Sequence, residues 1–245
     1  RAINIGLGRN CEETIDQEHL ILDTDEDGAI QMDSLLARVH DILQSVYSWH
    51  EKHFIVDGQI GIWGGMNISD PYLLGSWRDT DILIHGPAVD EGAAAFNKNW
   101  HHLTGEKLQL RQYEKGLKNQ VTGKDVKVQI IQHSPSINGD NHITDFLVAQ
   151  LDRLQSGESA YFENAYFCTS TTLSPLYNAM INAAQRGVKV VVLTNSEVSS
   201  DLPAINNAAF HAYDDLLKAG VQIYERSDKR TIHSKIAVIG KDVSI

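Results

Sequence analysis

Two histidine–lysine pairs are the residues of this chain best suited to chemistry on a phosphate group. His50 precedes Lys52 by two positions, and His233 precedes Lys235 by the same spacing. Each pair leads into a β-branched apolar run, and side chains two positions apart on a strand point to the same face. Each strand would therefore present an imidazole and an ammonium together, where one phosphate can meet both.

The first pair belongs to a longer pattern. The strand after Lys52 reaches Asp57-Gly58, a strong short signal for a β-hairpin. The returning strand ends at Gly64-Gly65, where the absence of side chains lets the backbone approach a ligand closely. Asn67 follows, and its amide can donate a hydrogen bond to a phosphate oxygen. The second pair repeats the strand and the turn, with Gly240 at the position of Asp57, which predicts two similar half-sites.

Hydrophobic periodicity predicts the elements that must position these residues, and their alternation predicts an α/β fold. Strands are predicted at Phe54–Val56, Ile60–Trp63, Asp81–His85, Val126–His133, Tyr161–Phe167, Val188–Leu193, Val221–Tyr224 and Ile236–Ile239. Helices are predicted at Asp33–Val46, Pro87–Trp100, Ile143–Leu154, Leu173–Ala184 and Ile205–Ala219. The apolar face of Ile143–Leu154 is interpreted as a core face, with membrane docking as the alternative.

The composition limits the class of partner. The 245 residues carry a net charge of −11, which speaks against nucleic acid because proteins that grip phosphate backbones usually present basic surfaces. Cys11 and Cys168 form no metal-binding or disulfide pattern. No signal peptide is recognisable. The chain begins at Arg1 and ends at Ile245 within a predicted strand, so we expect it to be part of a longer product.

The pattern His50-x-Lys52-x4-Asp57-x6-Gly64-Gly65-x-Asn67 resembles the HKD motif of the phospholipase D superfamily. Trp77-Arg-Asp79-Thr80 and Ala183-Ala-Gln-Arg-Gly187-Val-Lys-Val resemble the bacterial cardiolipin synthase branch of that superfamily. The resemblance implies a fold of two similar halves, each a mixed β-sheet flanked by helices, with the active site at their interface. Residues 1–125 would hold the first half, with an N-terminal extension and a connecting segment, and residues 126–245 the second, apparently truncated at its C-terminus.

The resemblance also implies a mechanism. One histidine attacks phosphorus in line and forms a covalent phosphohistidine, while the other donates a proton to the leaving alcohol and then activates water or an acceptor alcohol. By family analogy His50 is the nucleophile and His233 the acid, an order that the residues alone leave open. Lys52, Lys235 and Asn67 would bind the non-bridging oxygens.

Other positions take supporting roles by the same resemblance. Asp79 begins the strand where relatives place a carboxylate that orients the first histidine, and Asp57 is interpreted as a residue that fixes the turn. Two departures stand out, because Gly65 replaces the usual Ser and Gly240 replaces the Asp of the second motif. The Gly-Ser-x-Asn of the second motif would lie beyond Ile245.

No cofactor and no metal ion are expected for this chemistry, because two lysines and a histidinium supply the positive charge. One calcium site stays open. Asp23, Asp25 and Asp27 resemble the opening of an EF-hand loop, but Ser34 occupies the position that needs a bidentate Glu.

The leading hypothesis is an enzyme that hydrolyses or transfers phospholipid diesters, either a phospholipase D or a phosphatidyltransferase of the cardiolipin synthase type. Its partners would be a phospholipid substrate and, peripherally, a membrane surface. The alternatives are a nuclease of the same superfamily and a non-catalytic binding protein on a decayed fold. The sequence does not fix the oligomeric state or the location, for which a soluble or peripheral protein of bacterial type, secreted or in the envelope, is the expectation.

Overall fold

A computed structural model of the chain describes residues 50–115, 126–133, 141–167, 174–202, 210 and 213–244. The chain divides into two compact units, the first ending at Glu51 and the second beginning at Lys52. The predicted helix at Asp33–Val46, the acidic loop at Asp23, Asp25 and Asp27, and both cysteines lie outside the described residues. The division into halves after residue 125 stays a prediction.

An antiparallel sheet of three strands follows Lys52. It contains β1 (His53–Val56), β2 (Ile60–Gly64) and β4 (Asp81–His85), in the order β1-β2-β4. The predicted hairpin is present, because Asp57 and Gly58 both take positive φ angles, 54° and 68°, and reverse the chain between β1 and β2. A helix, α2 (Ala88–Thr104), follows β4 and ends at Gly105 in a left-handed conformation.

The second half of the chain builds a sheet of five strands in the order β10-β9-β5-β6-β7. The members are β5 (Ser159–Asn164), β6 (Lys189–Asn195), β7 (Gln222–Arg226), β9 (Lys235–Ile239) and β10 (Asp242–Ser244). The central strands β5, β6 and β7 are parallel, whereas β9 and β10 are antiparallel to their neighbours. The helices α3 (His142–Arg153) and α4 (Pro175–Gln185) and a helical stretch at residues 213–219 lie between strands, which confirms a mixed α/β fold.

The hydrophobic core lies between this sheet and its helices. Val190 and Val192 of β6 are fully buried, as a β-branched run covered on both faces requires. Met180 of α4 and Leu151 of α3 are also fully buried in the same cluster. Leu147, Leu151 and Leu154 of the predicted apolar face therefore pack in the core, whereas Ile143 at the start of α3 is 40% exposed.

The strand predicted at Val126–His133 is wrong. Residues 126–133 carry no strand, and two hydrogen bonds join them to the helix α2. The backbone N–H of Ile130 donates to Oε2 of Glu91 at 3.1 Å, and Nε2 of Gln132 donates to Oδ1 of Asn99 at 2.9 Å. Apolar alternation cannot distinguish a paired strand from an extended segment that bonds to side chains of a helix.

A short parallel pair of strands joins the segment before β4 to the segment before β9. In it β3 (Trp77–Arg78) pairs with β8 (Thr231–Ile232). The pairing continues past β8, because the backbone N–H of His233 donates to the carbonyl of Arg78 at 2.7 Å. The backbone of Trp77 and Arg78 therefore holds the backbone of the second motif at His233.

A buried amide holds β8 from the opposite side. Asn195, at the end of β6, is fully buried. Its Nδ2 donates to the carbonyls of Ala165 and Ile232, at 3.0 and 2.7 Å, and its Oδ1 accepts from the N–H of Ile232 at 2.9 Å. Two of these bonds fix Ile232, the residue that immediately precedes His233, and the third ties Asn195 to Ala165.

We predict that Asn195→Ala lowers the free energy of unfolding by about 2–4 kcal/mol, because it leaves three buried backbone groups without a partner. Denaturant unfolding followed by circular dichroism measures the change. Glu197→Ala, at an exposed position nearby, is the control and should change stability by less than about 0.5 kcal/mol. Equal stabilities of the two variants would contradict the role given to Asn195.

Candidate active site

The imidazole of His233 is the centre of the site in the second unit. The residue directly follows β8, and its side chain is 7% exposed. Its Nδ1 lies 2.8 Å from Oδ2 of Asp79, whose side chain is 0% exposed. A carboxylate can only accept a hydrogen bond, so Nδ1 carries the proton in this contact and Nε2 is the nitrogen available for chemistry.

Asp79 is expected from the resemblance to orient the first histidine, and in the structure it bonds to the second, His233. The carboxylate is held from its other side, because the backbone N–H of Thr80 donates to Oδ1 of Asp79 at 2.8 Å. The two bonds together hold the carboxyl plane and hence the direction of the His233 ring.

Three aromatic rings surround the same imidazole. Trp77 stacks on His233 with 5.1 Å between ring centroids and 25° between planes. Tyr72 and Tyr166 approach edge-on, with centroids at 5.6 and 6.4 Å. Trp77 and Asp79 lie two positions apart in an extended segment, so their side chains leave the same face of that segment and both reach the imidazole. The rings restrict rotation of the imidazole and keep water from its flanks.

The hydroxyl of Tyr72 lies 2.9 Å from Nδ1 of His233 and therefore competes with Asp79 for the same proton. Burial, followed by the negative charge of Asp79, raises the pKa of Tyr72 to about 12, so it stays a neutral phenol near pH 7. The same hydroxyl accepts a long hydrogen bond, 3.5 Å, from Nδ2 of Asn67. The predicted phosphate-binding amide of Asn67 is thus linked to the imidazole of His233 through the hydroxyl of Tyr72.

The two predicted lysines share the electrostatics of this site. Nζ of Lys235 donates to the carbonyl of His233 at 2.6 Å and lies 3.1 and 3.2 Å from the two ring nitrogens. Burial lowers the pKa of Lys235 to about 8, an effect that Lys52 adds to and that Asp79 and Asp201 oppose. Burial also lowers the pKa of Lys52, against the attraction of Asp79. Two partly desolvated ammonium groups favour an anionic ligand.

The residue between His233 and Lys235 is fixed as well. Ser234 is fully buried, and its hydroxyl donates to Oε1 of Glu163 on β5. The other oxygen of Glu163 pairs with Nη1 of Arg78 at 3.2 Å. Consequently Arg78 holds the second motif twice, through its own backbone and through Glu163.

Gly64 and Gly65 of the first motif leave space for two aspartate carboxylates. A Cβ added at Gly65 would lie 2.5 Å from Oδ1 of Asp79, and one added at Gly64 would overlap Oδ1 of Asp81. The Gly at position 65, where the resemblance implies Ser, therefore leaves the space that the carboxylate of Asp79 occupies.

The turns after the two lysines correspond in conformation. Asp57 takes a φ of 54° and Gly240 a φ of 60°, each five positions after its lysine. The carboxyl of Asp57 faces solvent and meets Nη1 of Arg111 only at 3.9 Å. The geometry of Asp57 is that of a turn residue.

His50 is exposed and lies in the first unit, whereas Lys52 lies in the second. That His50 reacts together with His233 stays a prediction. Among the described residues, no group of three or more His, Cys, Asp or Glu side chains could hold a metal ion. Within the same residues, no helix has the length and apolarity needed to cross a bilayer.

Several residues that hold the site are not predicted from the sequence, namely Tyr72, Tyr166, Glu163 and Asn195, and Trp77 is predicted only as part of the family resemblance. Glu163 and Asn195 stand near the carboxyl ends of the parallel strands β5 and β6. Ligand sites of open α/β sheets gather at that edge, so polar residues at strand ends were the available signal. For the tyrosines the sequence offers no comparable signal.

Similar proteins support this fold. The family described as "Cardiolipin synthase, PLD-like domain" matches residues 147–245. These residues are similar to that family, and the resemblance to the phospholipase D superfamily is confirmed.

Curated relatives match most of the chain. Cardiolipin synthase from Alkalihalophilus pseudofirmus is 29% identical over 203 residues, which cover 81% of this chain and 38% of the relative. Cardiolipin synthase 1 from Staphylococcus aureus is 32% identical over 201 residues, 79% of this chain and 38% of the relative. The chain thus spans 38% of the length of these relatives.

A solved structure shows the same fold. Phosphatidylserine synthase from Haemophilus influenzae superposes with a TM-score of 0.51 at 14% identity, covering 78% of this chain and 51% of that chain.

We predict that Asp79→Asn lowers turnover of a phosphodiester by roughly 10²–10⁴-fold, because the amide can donate to Nδ1 and move the proton of His233 to Nε2. Nitrogen NMR of the His233 ring reports the tautomer directly, and a purely structural role would leave it unchanged. Asp81→Asn changes a neighbouring carboxyl that accepts from the backbone of Met66 and is the matched control. An unchanged tautomer in Asp79→Asn would refute the assignment.

Proposed function

We propose that the chain belongs to an enzyme that transfers or cleaves phospholipid diesters, with phosphatidyl transfer of the cardiolipin synthase kind as the principal reaction. The observation that carries the proposal is the contact of His233 with Asp79 and Lys235, which joins a directed imidazole to a partly buried ammonium. The curated relatives named cardiolipin synthase support the same reaction class.

The first half-reaction forms a covalent intermediate. Nε2 of His50 attacks phosphorus, a nitrogen–phosphorus bond forms, and the bond from phosphorus to the leaving alcohol oxygen breaks. Nε2 of His233 gives its proton to that oxygen. Lys52, Lys235 and Asn67 bind the non-bridging oxygens and offset the charge that gathers there in the transition state.

The second half-reaction releases the product. Nε2 of His233 takes a proton from an acceptor alcohol or from water, whose oxygen attacks phosphorus while the bond to His50 breaks. Both histidines return to their starting protonation states. Transfer and hydrolysis differ only in the acceptor, and the branch of the superfamily that the chain matches supports the alcohol.

Trapping the intermediate tests this proposal. After incubation with phosphatidylglycerol vesicles and a rapid alkaline quench, peptide mass mapping should find a phosphatidyl adduct on His50, and none in His50→Ala. His53→Ala, a histidine outside the motif, is the matched control and should still form the adduct. Salt-sensitive cleavage of plasmid DNA in parallel, without lipid turnover, would replace the lipid proposal with a nuclease.

We expect the loss of activity at alkaline pH to follow the deprotonation of Lys235. Its folded pKa of about 8 lies below the ordinary 10.5, so the ammonium that binds phosphate is present below pH 8 and lost above it. We expect kcat/KM on a water-soluble aryl phosphodiester to fall about tenfold per pH unit above 8. Over pH 8–10.5 the free energy of unfolding should rise, because the folded state no longer holds a buried cation that the unfolded state still carries.

The variant Lys235→Arg separates charge from geometry. Arginine stays charged throughout this range, so kcat/KM should be lower at pH 7 but should lose the fall near pH 8. Lys189→Arg, at an exposed position on β6, should keep the wild-type profile. A fall near pH 8 that persists in Lys235→Arg would assign the titration to another group.

A further inference from the structure

We propose that residues 66–74, the tip segment, insert their apolar side chains into a phospholipid bilayer and so place the membrane surface beside His233. The inference rests on the proposed function and deepens it, because it names the part of the site that receives the lipid surface.

Four large apolar side chains of the tip segment face solvent. Ile68, Leu73 and Leu74 are 77%, 78% and 81% exposed, and Met66 is 42% exposed. Leu73 ends the one-turn helix α1 (Asp70–Leu73), in which no residue is buried. So dense an apolar exposure within nine consecutive residues differs from apolar side chains scattered singly over a surface.

The inner side of the same segment is anchored. The backbone N–H of Met66 donates to Oδ1 of Asp81 at 3.2 Å, and the hydroxyl of Tyr72 lies 2.9 Å from the imidazole of His233. Just beyond the segment, the carbonyl of Ser76 accepts from the N–H of Thr231 at 3.1 Å. The polar contacts point inward and the apolar side chains outward, which is the division that an interfacial segment needs.

The position and the charge of the segment favour a bilayer as the occupant. Tyr72 contacts the imidazole of His233 and directly precedes Leu73 and Leu74 in the chain, so a lipid headgroup at the imidazole would bring its acyl chains near these two side chains. The segment contains one charged residue, Asp70, and no lysine or arginine. Attraction to anionic lipid or to nucleic acid therefore cannot hold it, and apolar insertion must.

Vesicle flotation tests the inference with the full chain. The double variant Leu73→Ser/Leu74→Ser should bind phosphatidylcholine–phosphatidylglycerol vesicles at least tenfold more weakly than the wild type. The control Leu103→Ser/Val198→Ser removes two apolar side chains, 55% and 61% exposed on other elements, and should bind as the wild type does. Binding of the wild type should persist at about 1 M salt, where electrostatic attraction is screened beyond a Debye length of about 3 Å.

Activity separates this inference from the proposed function. Leu73→Ser/Leu74→Ser should keep its kcat/KM on a water-soluble aryl phosphodiester and lose it on vesicles. Weakened vesicle binding without turnover of either substrate by the wild type would support the surface and refute the proposed function. Unchanged vesicle binding by a variant that circular dichroism shows to be folded would overturn the inference. A change in the oligomeric state of the variant, measured by light scattering, in place of weaker vesicle binding would also overturn it.

Discussion

The parallel pairing of β3 with β8 is the interaction on which the candidate site depends. Arg78 accepts from the backbone of His233, and Trp77 and Asp79 on either side of it reach the imidazole from one face of the segment. The short strand β3 and the residue after it, Asp79, therefore set the backbone, the ring plane and the proton position of His233, which lies 154 positions beyond Asp79. Asn195 secures β8 from the other side, so the geometry of His233 is held from two directions.

The electrostatic balance of the site follows from this packing. Holding His233 and Lys235 in place removes water from both. Burial has the largest effect on the pKa of Lys235 and lowers it, against the attraction of Asp79 and Asp201. The repulsion between Lys235 and Lys52 lowers it further. A phosphodiester anion between the lysines would offset both effects, because it replaces lost hydration and screens one cation from the other.

The features that could be predicted from sequence are those set by local chemistry. Asp57-Gly58 predicted a hairpin because both residues tolerate positive φ, and the β-branched run of β6 predicted a buried strand. The contacts of Tyr72 and Asn195 could not be predicted, because they depend on pairing between distant segments. The contact of Asp79 with His233 could not be predicted for the same reason. Spacing fixes which side chains share a face, but it does not fix which segment crosses over that face.

The loss of the aspartate at position 240 argues less for decay than the motif name suggests. Asp57 and Gly240 occupy the left-handed region of the backbone at matching turns, and the Asp57 carboxyl is largely exposed to solvent. A residue with a side chain pays conformational strain in that region that glycine does not. Replacing the aspartate with glycine therefore preserves the function of the turn, whereas replacing Lys235 or Asp79 would remove a group that contacts His233. The non-catalytic reading thus loses the one residue that supported it, because the position that departs from the motif is structural and the positions around His233 are intact.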